Sequence, residues 1–83
     1  MSVKTAVVTG CSKGIGAAIA KYLSKNGYNV IALSRNIDAM EHEFSEYNNV
    51  ELYQIDLFNF SEITKFANAY KDLKIDVLIH NAG

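Results

Sequence analysis

Thr9-Gly10-Cys11-Ser12-Lys13-Gly14-Ile15-Gly16 decides the fold, because of what stands on either side of it. Before it, Val3 to Thr9 (VKTAVVT) is a β-branched, mostly apolar run of strand length. After it the apolar period turns helical, with Ile15, Ala18, Ile19, Tyr22 and Leu23 on one face and Lys21, Ser24 and Lys25 turned away. A glycine-rich joint from strand to helix leaves free N–H groups and the positive end of the helix dipole pointing out of the turn. Glycines without side chains let a phosphate approach the backbone, so the joint reads as a seat for a dinucleotide pyrophosphate. Three glycines at this spacing are a weak sign alone; their place inside a βαβ unit makes it strong. The competing reading is a tight turn or close helix–strand packing and nothing more. Three glycines within seven residues exceed what a turn requires. The spacing is neither the GxGxxG of the commoner dinucleotide fold nor the GxxxxGK[ST] of a P-loop.

The alternation of periods continues to the end of the chain. Asn26-Gly27 ends the first helix, and Asn29 to Ser34 (NVIALS) is a second strand. Ile37, Met40, Phe44 and Tyr47 form the stripe of a second helix with Asn36 as its N-cap, and Asn48-Asn49 breaks it. Val50 to Ile55 (VELYQI) is a third strand. Asn59 followed by Glu62 resembles a capping box for a third helix, whose stripe is Ile63, Phe66, Ala67 and Tyr70. Ile75 to His80 (IDVLIH) is the fourth strand. The order β-α-β-α-β-α-β with short joints predicts an α/β fold, a partial Rossmann-type doubly wound parallel sheet with right-handed crossovers. Residues 1–83 form one unit without repeats, low-complexity stretches, proline or a linker.

Composition narrows the function classes. Hydrophobic residues make up 49% and charged residues 20% of the 83, which argues against disorder. Eight basic and nine acidic side chains leave a net charge of −1, too balanced for an electrostatic nucleic-acid or membrane surface. Cys11 stands alone, so no internal disulfide is expected, and no metal-ligand cluster is visible. Met1-Ser2-Val3-Lys4 runs straight into the first strand, with no room for a signal peptide, and the cytoplasm is the expected compartment. A chain this short buries only about 60–65% of its unfolded surface, so marginal stability is expected.

TGCSKGIG, Asp56 after the third strand and Asn81-Ala82-Gly83 after the fourth together resemble the short-chain dehydrogenase/reductase family over the whole chain. The resemblance implies that Ser12, Lys13, Gly14, Ile15 and Gly16, with Gly10 before them, wrap the pyrophosphate and adenosine ribose. It implies that the Thr9 hydroxyl ties the turn to the Asn81-Ala82-Gly83 segment, which lies along the nicotinamide ribose. It also implies that Asp56 accepts from the adenine amino group while the backbone of Leu57 lines the same pocket; turn capping by Asp56 is the alternative, and both can coexist. The family usually carries another Asn before that segment; here the residue is His80.

Which nucleotide is expected follows from the end of the second strand. An NAD-binding fold places an acid there, about 20 residues past the glycines, to take the ribose 2′-hydroxyl. Ser34-Arg35-Asn36 stands there instead, with Arg35 19 residues after Gly16. A guanidinium suits a 2′-phosphate, and Lys13 could meet the same phosphate from the glycine turn. In the family this pair goes with NADP, so NADP(H) is expected over NAD(H). The alternative for each is a solvated surface cation.

The resemblance also says what to look for and not find. The family's chemistry rests on a serine and a Tyr-x-x-x-Lys pair beyond the Asn-Ala-Gly segment. Only Tyr70 to Lys74 matches that spacing, and it falls at the end of the third helix, before the segment. No catalytic residue and no metal ligand is therefore assigned. The chain is expected to be the N-terminal, cofactor-binding part of one domain with the catalytic part absent, inactive alone. Residues 77–79 (VLI) would then form an open apolar edge, favouring self-association or association with the missing part. A non-catalytic nucleotide-binding or interaction module complete at residue 83 is the alternative. A methyltransferase-like domain is a more remote one, since its cofactor's ribose calls for an acid near Arg35. Cys11 reads as a small side chain filling the turn, with a reactive thiol as the alternative. His80 reads as structural and His42 as a solvated helix residue.

Overall fold

The computed structural model of the chain describes residues 3–81. In chain order the elements are β1 (Thr5–Thr9), α1 (Gly14–Lys25), β2 (Asn29–Ser34), α2 (Ile37–Glu43), β3 (Val50–Gln54), α3 (Phe60–Ala69) and β4 (Val77–Ile79). The strands make one sheet in the order β3-β2-β1-β4, every pair parallel. Ala6 on β1 is flanked by Val30 on one side and Val77 on the other. Parallel neighbours require a crossover through a helix, which is what the alternating periods in the sequence supply. The α/β reading therefore holds element by element; β2 matches its apolar run, and the other three strands are one to three residues shorter than theirs.

β1 and β2 lie in the middle of the sheet and are buried on both faces, so they read as near-continuous apolar runs. The pleat still divides them. Val8, Val30 and Ala32 face α1 and α2 and join Met40, Phe44 and Cys11 in one cluster. Val7, Ile31 and Leu33 point the other way, where Ile55 joins them and Tyr53, Phe66 and Tyr70 pack on top.

α1 departs from its expected face. Ile15 is 71% and Tyr22 67% exposed, whereas Gly16, Ala17, Ala20 and Ser24 are the residues against the sheet. The reason is distance. α1 lies so close to the turn after β1 that small side chains alone fit beneath it, with Ile19 and Leu23 packing at the margin. Side-chain size, which selects the large apolar residues from sequence, misleads where a helix must approach closely.

Ser24 is turned inward for a second reason. Its hydroxyl donates to Asn49 Oδ1, and Asn49 Nδ2 returns donations to Ser24 O at 3.0 Å and Tyr28 O at 2.9 Å. The Asn49 carbonyl also accepts from Val30 N–H at 3.0 Å. Asn49, a helix breaker in the sequence reading, thus locks the end of α1 to the start of β3.

α2 is capped as expected, with Asn36 Oδ1 accepting from Ala39 N–H at 3.0 Å. α3 is capped by Asn59, which accepts from Ser61 and Glu62 N–H. The reciprocal half of the box is redirected: Glu62 Oε1 accepts from Asp56 N–H at 3.1 Å. α3 buries no residue fully. It rests on β3 through Phe66 and Tyr70, whose rings stand 5.1 and 5.9 Å from that of Tyr53. Ile63 and Ala67 of its expected stripe are exposed, as is Leu78 on the edge strand β4. That face of the sheet is half covered among the described residues. No helix among them is long and apolar enough to cross a membrane.

Asn49→Ala is expected to lower unfolding free energy by about 1–3 kcal/mol, because it strips partners from a part-buried network. Exposed Asn48→Ala should stay within about 0.5 kcal/mol of the parent chain. Urea unfolding of the three proteins checks this, and coincident midpoints would show the latch to be idle.

Candidate functional site

Because all four strands are parallel, their carboxyl ends emerge at one rim of the sheet. β1, β2 and β3 each deliver a short loop there, and His80 and Asn81 follow β4. A cleft of about 430 Å³ opens between these loops, a size suited to a small ligand. Gly10 and Ser12 reach it from β1, and Ser34, Arg35 and Asn36 from β2. β3 contributes Asp56 and Leu57, and β4 contributes Asn81. Thr9 and Gly16 are buried behind the wall. Lys13, at the end of the turn, and Gly14 and Ile15, at the start of α1, are exposed beside the cleft without lining it. Ala82 and Gly83 lie outside the described residues.

The wall is held by Asn81. Its N–H donates to Thr9 Oγ1 at 2.9 Å, and its carbonyl takes the Thr9 hydroxyl at 3.2 Å. His80 Nδ1 stands 3.2 Å from the same hydroxyl oxygen. A hydroxyl has one proton, so a donation to Asn81 O requires that His80 carry its proton on Nδ1. The Asn81 side chain donates from Nδ2 to Gly10 O at 3.3 Å and fills the gap between the turn and α1. A Cβ on Gly10 would stand 2.9 Å from that Nδ2, and one on Gly16 2.7 Å from it. Gly14 has open space around it; its φ of +67° is what demands glycine. Close packing and backbone conformation thus account for all three glycines without a ligand.

They do not account for the end of α1. Lys13 stands at its N-cap in extended conformation with no side-chain cap, and no acid lies in the first turn. The other two helices each have an Asn cap and an acid there. Among the described residues no side chain satisfies the first N–H groups of α1, next to a turn that brings backbone to the surface.

Charge at the cleft is asymmetric. Arg35 is exposed; its carbonyl accepts from Gln54 Nε2 at 3.1 Å. The ion pairs among the described residues are Lys21–Glu43 and Lys74–Asp76, so neither Arg35 nor Lys13 has a carboxylate partner there. Ser34 Oγ accepts from Asn36 N–H at 3.1 Å, and Asn36 Oδ1 is taken by α2. The acid lining the cleft is Asp56. Its Oδ1 accepts from Phe58 N–H at 2.9 Å, the turn-capping role, and no hydrogen bond among the described residues uses Oδ2.

Two lures in the sequence lose their appeal. The Cys11 thiol is fully buried, donates to Val8 O at 3.1 Å, and is pushed by burial to about 11. Burial outweighs the nearby helix end, so the thiolate is not available near neutral pH. Tyr70, of the accidental Tyr-x-x-x-Lys, donates to Glu51 Oε2 at 2.9 Å. Burial and then that bond push its hydroxyl to about 12, opposite to what proton exchange with a substrate needs. Lys74 faces Asp76 at 3.7 Å instead.

Four cleft residues lie outside the expected set, and one of them is His80, which the sequence reading takes as structural. Leu33 and Ile55 are buried strand-end residues read as core, and they also line the cleft. Phe58 lines it while 95% exposed. Its signal was present: an aromatic residue in a loop, outside every helical or strand period.

Residues 4–83 match the family described as short chain dehydrogenase. The chain is 37% identical to the NADPH-dependent 1-acyldihydroxyacetone phosphate reductase of Saccharomyces cerevisiae, over 96% of this chain and 29% of that protein. It is 32% identical to the NADPH-dependent pterin aldehyde reductase of Arabidopsis thaliana, over 100% of this chain and 36% of that one. A solved metagenomic short-chain oxidoreductase in complex with NADP superposes with a TM-score of 0.88 at 35% identity, covering 100% of this chain and 40% of its own. The chain therefore spans 29 to 40% of the length of these relatives.

Gly16→Ala is expected to cost about 2 kcal/mol or more, since its Cβ meets backbone and the Asn81 amide rather than a flexible side-chain end. Chemical denaturation checks it, and a neutral result would mean that α1 can move away freely. For Tyr70, a hydroxyl raised above its unfolded value of about 10 stabilises the fold below that pH and loses the effect as pH rises through about 12. A tyrosinate absorbance titration should show one late component among the five tyrosines, absent in Tyr70→Phe.

Proposed function

This chain belongs to the short chain dehydrogenase family, and we propose that it is the NADP(H)-binding part of an oxidoreductase. The full protein would move hydride between NADP(H) and a carbonyl or alcohol carbon. The observation that carries the choice of cofactor is Arg35 at the cleft end of β2, without a carboxylate partner among the described residues. An NAD ribose calls for an acid at that place; a 2′-phosphate calls for a planar fork of donors. Two relatives that are NADPH-dependent reductases, and a third solved in complex with NADP, support the same cofactor.

The residues present fit such a ligand along its length. The uncapped end of α1 and the surface of the glycine turn offer N–H donors and a positive dipole to the pyrophosphate, and Ser12 adds a hydroxyl at the cleft. Arg35 would take the 2′-phosphate, with Lys13 adding charge from the turn. Asp56, through its Oδ2, would accept from the adenine amino group while Leu57 lines that pocket. Asn81, with Ala82 and Gly83 after it, would follow the nicotinamide ribose. When bound, the cofactor supplies the hydride. The role of these residues is to hold and orient it, and no proton-transfer step is assigned to any of them. The apolar residues exposed on the α3 side, Leu78 and Ile63 among them, suit contact with further protein, either a second copy or the remainder of a full-length fold.

Calorimetric titration tests this reading. NADPH is expected to bind more tightly than NADH, and Arg35→Ala to weaken NADPH about ten-fold, about 1.4 kcal/mol, with NADH little changed. The difference should shrink at high salt, because Arg35 is exposed. Equal affinities for the two cofactors in the parent chain would overturn the assignment.

A further inference from the structure

Phe58 is left in water beside a ligand-sized cleft, although burying a phenylalanine side chain is worth about 1.5–3 kcal/mol. Its loop is not loose. Phe58 N–H is held by Asp56 Oδ1 at 2.9 Å, Asn59 N–H by Asp56 O at 2.9 Å, and Asp56 N–H by Glu62 Oε1 at 3.1 Å. Three hydrogen bonds thus fix the backbone that presents the ring. Phe60, two residues on, is 81% exposed but starts α3 and does not line the cleft.

The sheet order says which part of a dinucleotide meets this ring. In β3-β2-β1-β4, the loop after β3 neighbours the loop after β2, where Arg35 stands. Asn81 follows β4, at the opposite edge, with the glycine turn of β1 between. A ligand with its pyrophosphate at the turn and its 2′-phosphate at Arg35 has its adenine next to the β3 loop. Adenine is flat, with apolar faces and polar edges. Asp56 suits the edge, and an exposed aromatic ring suits the face.

We infer that Phe58 is the stacking platform for the adenine ring, a binding residue that sets affinity for the adenosine half of the cofactor. The inference rests on the NADP(H) reading above. Base–aromatic stacking tolerates a change of aromatic residue but not its removal.

The probes are adenosine 2′,5′-bisphosphate, which carries the adenosine half alone, and reduced nicotinamide mononucleotide, which lacks adenine. Phe58→Ala is expected to weaken adenosine 2′,5′-bisphosphate and NADPH by roughly 5- to 100-fold. Phe58→Tyr should retain affinity, and Phe60→Ala should leave it unchanged. The chain has no tryptophan, so Phe58→Trp introduces a single indole fluorophore. Its emission should be quenched by adenosine 2′,5′-bisphosphate, whereas reduced nicotinamide mononucleotide should lower it no more than the dihydronicotinamide's own absorption does with free tryptophan. If the parent chain binds adenosine 2′,5′-bisphosphate and Phe58→Ala binds it equally well, the stacking role is overturned and the NADP(H) reading stands. If the parent chain binds no adenosine 2′,5′-bisphosphate, the NADP(H) reading falls, and this inference with it.

Discussion

Asn81 meets residues 71 and 72 positions earlier in the chain, and most of the cleft depends on those contacts. Its backbone brackets the Thr9 hydroxyl, and its amide fills the space between Gly10 and Gly16. Through Thr9 it fixes where β1 ends, and through Gly10 and Gly16 how closely α1 approaches the turn. That approach decides the rest of α1. Beneath it Ala17, Ala20 and Ser24 are buried, while the larger Ile15 and Tyr22 are left outside. β4 is short and at an edge, yet the residue after it sets the geometry of the first strand, the first helix and the turn joining them.

The same geometry distributes polar groups unevenly. α2 and α3 satisfy their first N–H groups with Asn36 and Asn59, and each carries an acid in its first turn. α1 has neither, and its N-terminus opens beside the cleft rim. An uncapped end costs stability that a cap would supply, about 1 kcal/mol. Tolerating it where phosphate would sit is consistent with donors kept for a ligand. The cations follow the same division: Lys21 is engaged with Glu43 at 2.9 Å on the α1–α2 side, whereas Arg35 and Lys13 have no carboxylate partner among the described residues. The glycines are weaker evidence than their number suggests, since packing and φ account for each of them.

Much of this is legible in the sequence. The alternation of strand and helix periods located all seven elements, and Asn36 and Asn59 were recognisable as caps from position alone. So were the loops that meet at the rim, because parallel strands send every carboxyl end the same way. Three things were not legible. The face of α1 was misjudged, because the largest apolar side chains are a poor guide where the helix must come close. Asn49 looked like a breaker because its partners, Ser24 and Tyr28, lie more than twenty residues away. Phe58 belongs to no period, and its place in the cleft depends on how Asp56 and Glu62 fold the loop.

The sequence by itself determined the class of fold, the parallel sheet, the strand-to-helix turn and the residue types at the cleft. These follow from local periodicity, glycine spacing and the chirality of crossovers, all properties of short segments. Tertiary structure alone decided which face of α1 is buried, which donors remain unspent, how strongly Cys11 and Tyr70 hold their protons, and which aromatic residue stands at the cleft. Those depend on distances between segments far apart in the chain, and burial and hydrogen bonding across such distances act only once the sheet has brought the segments together.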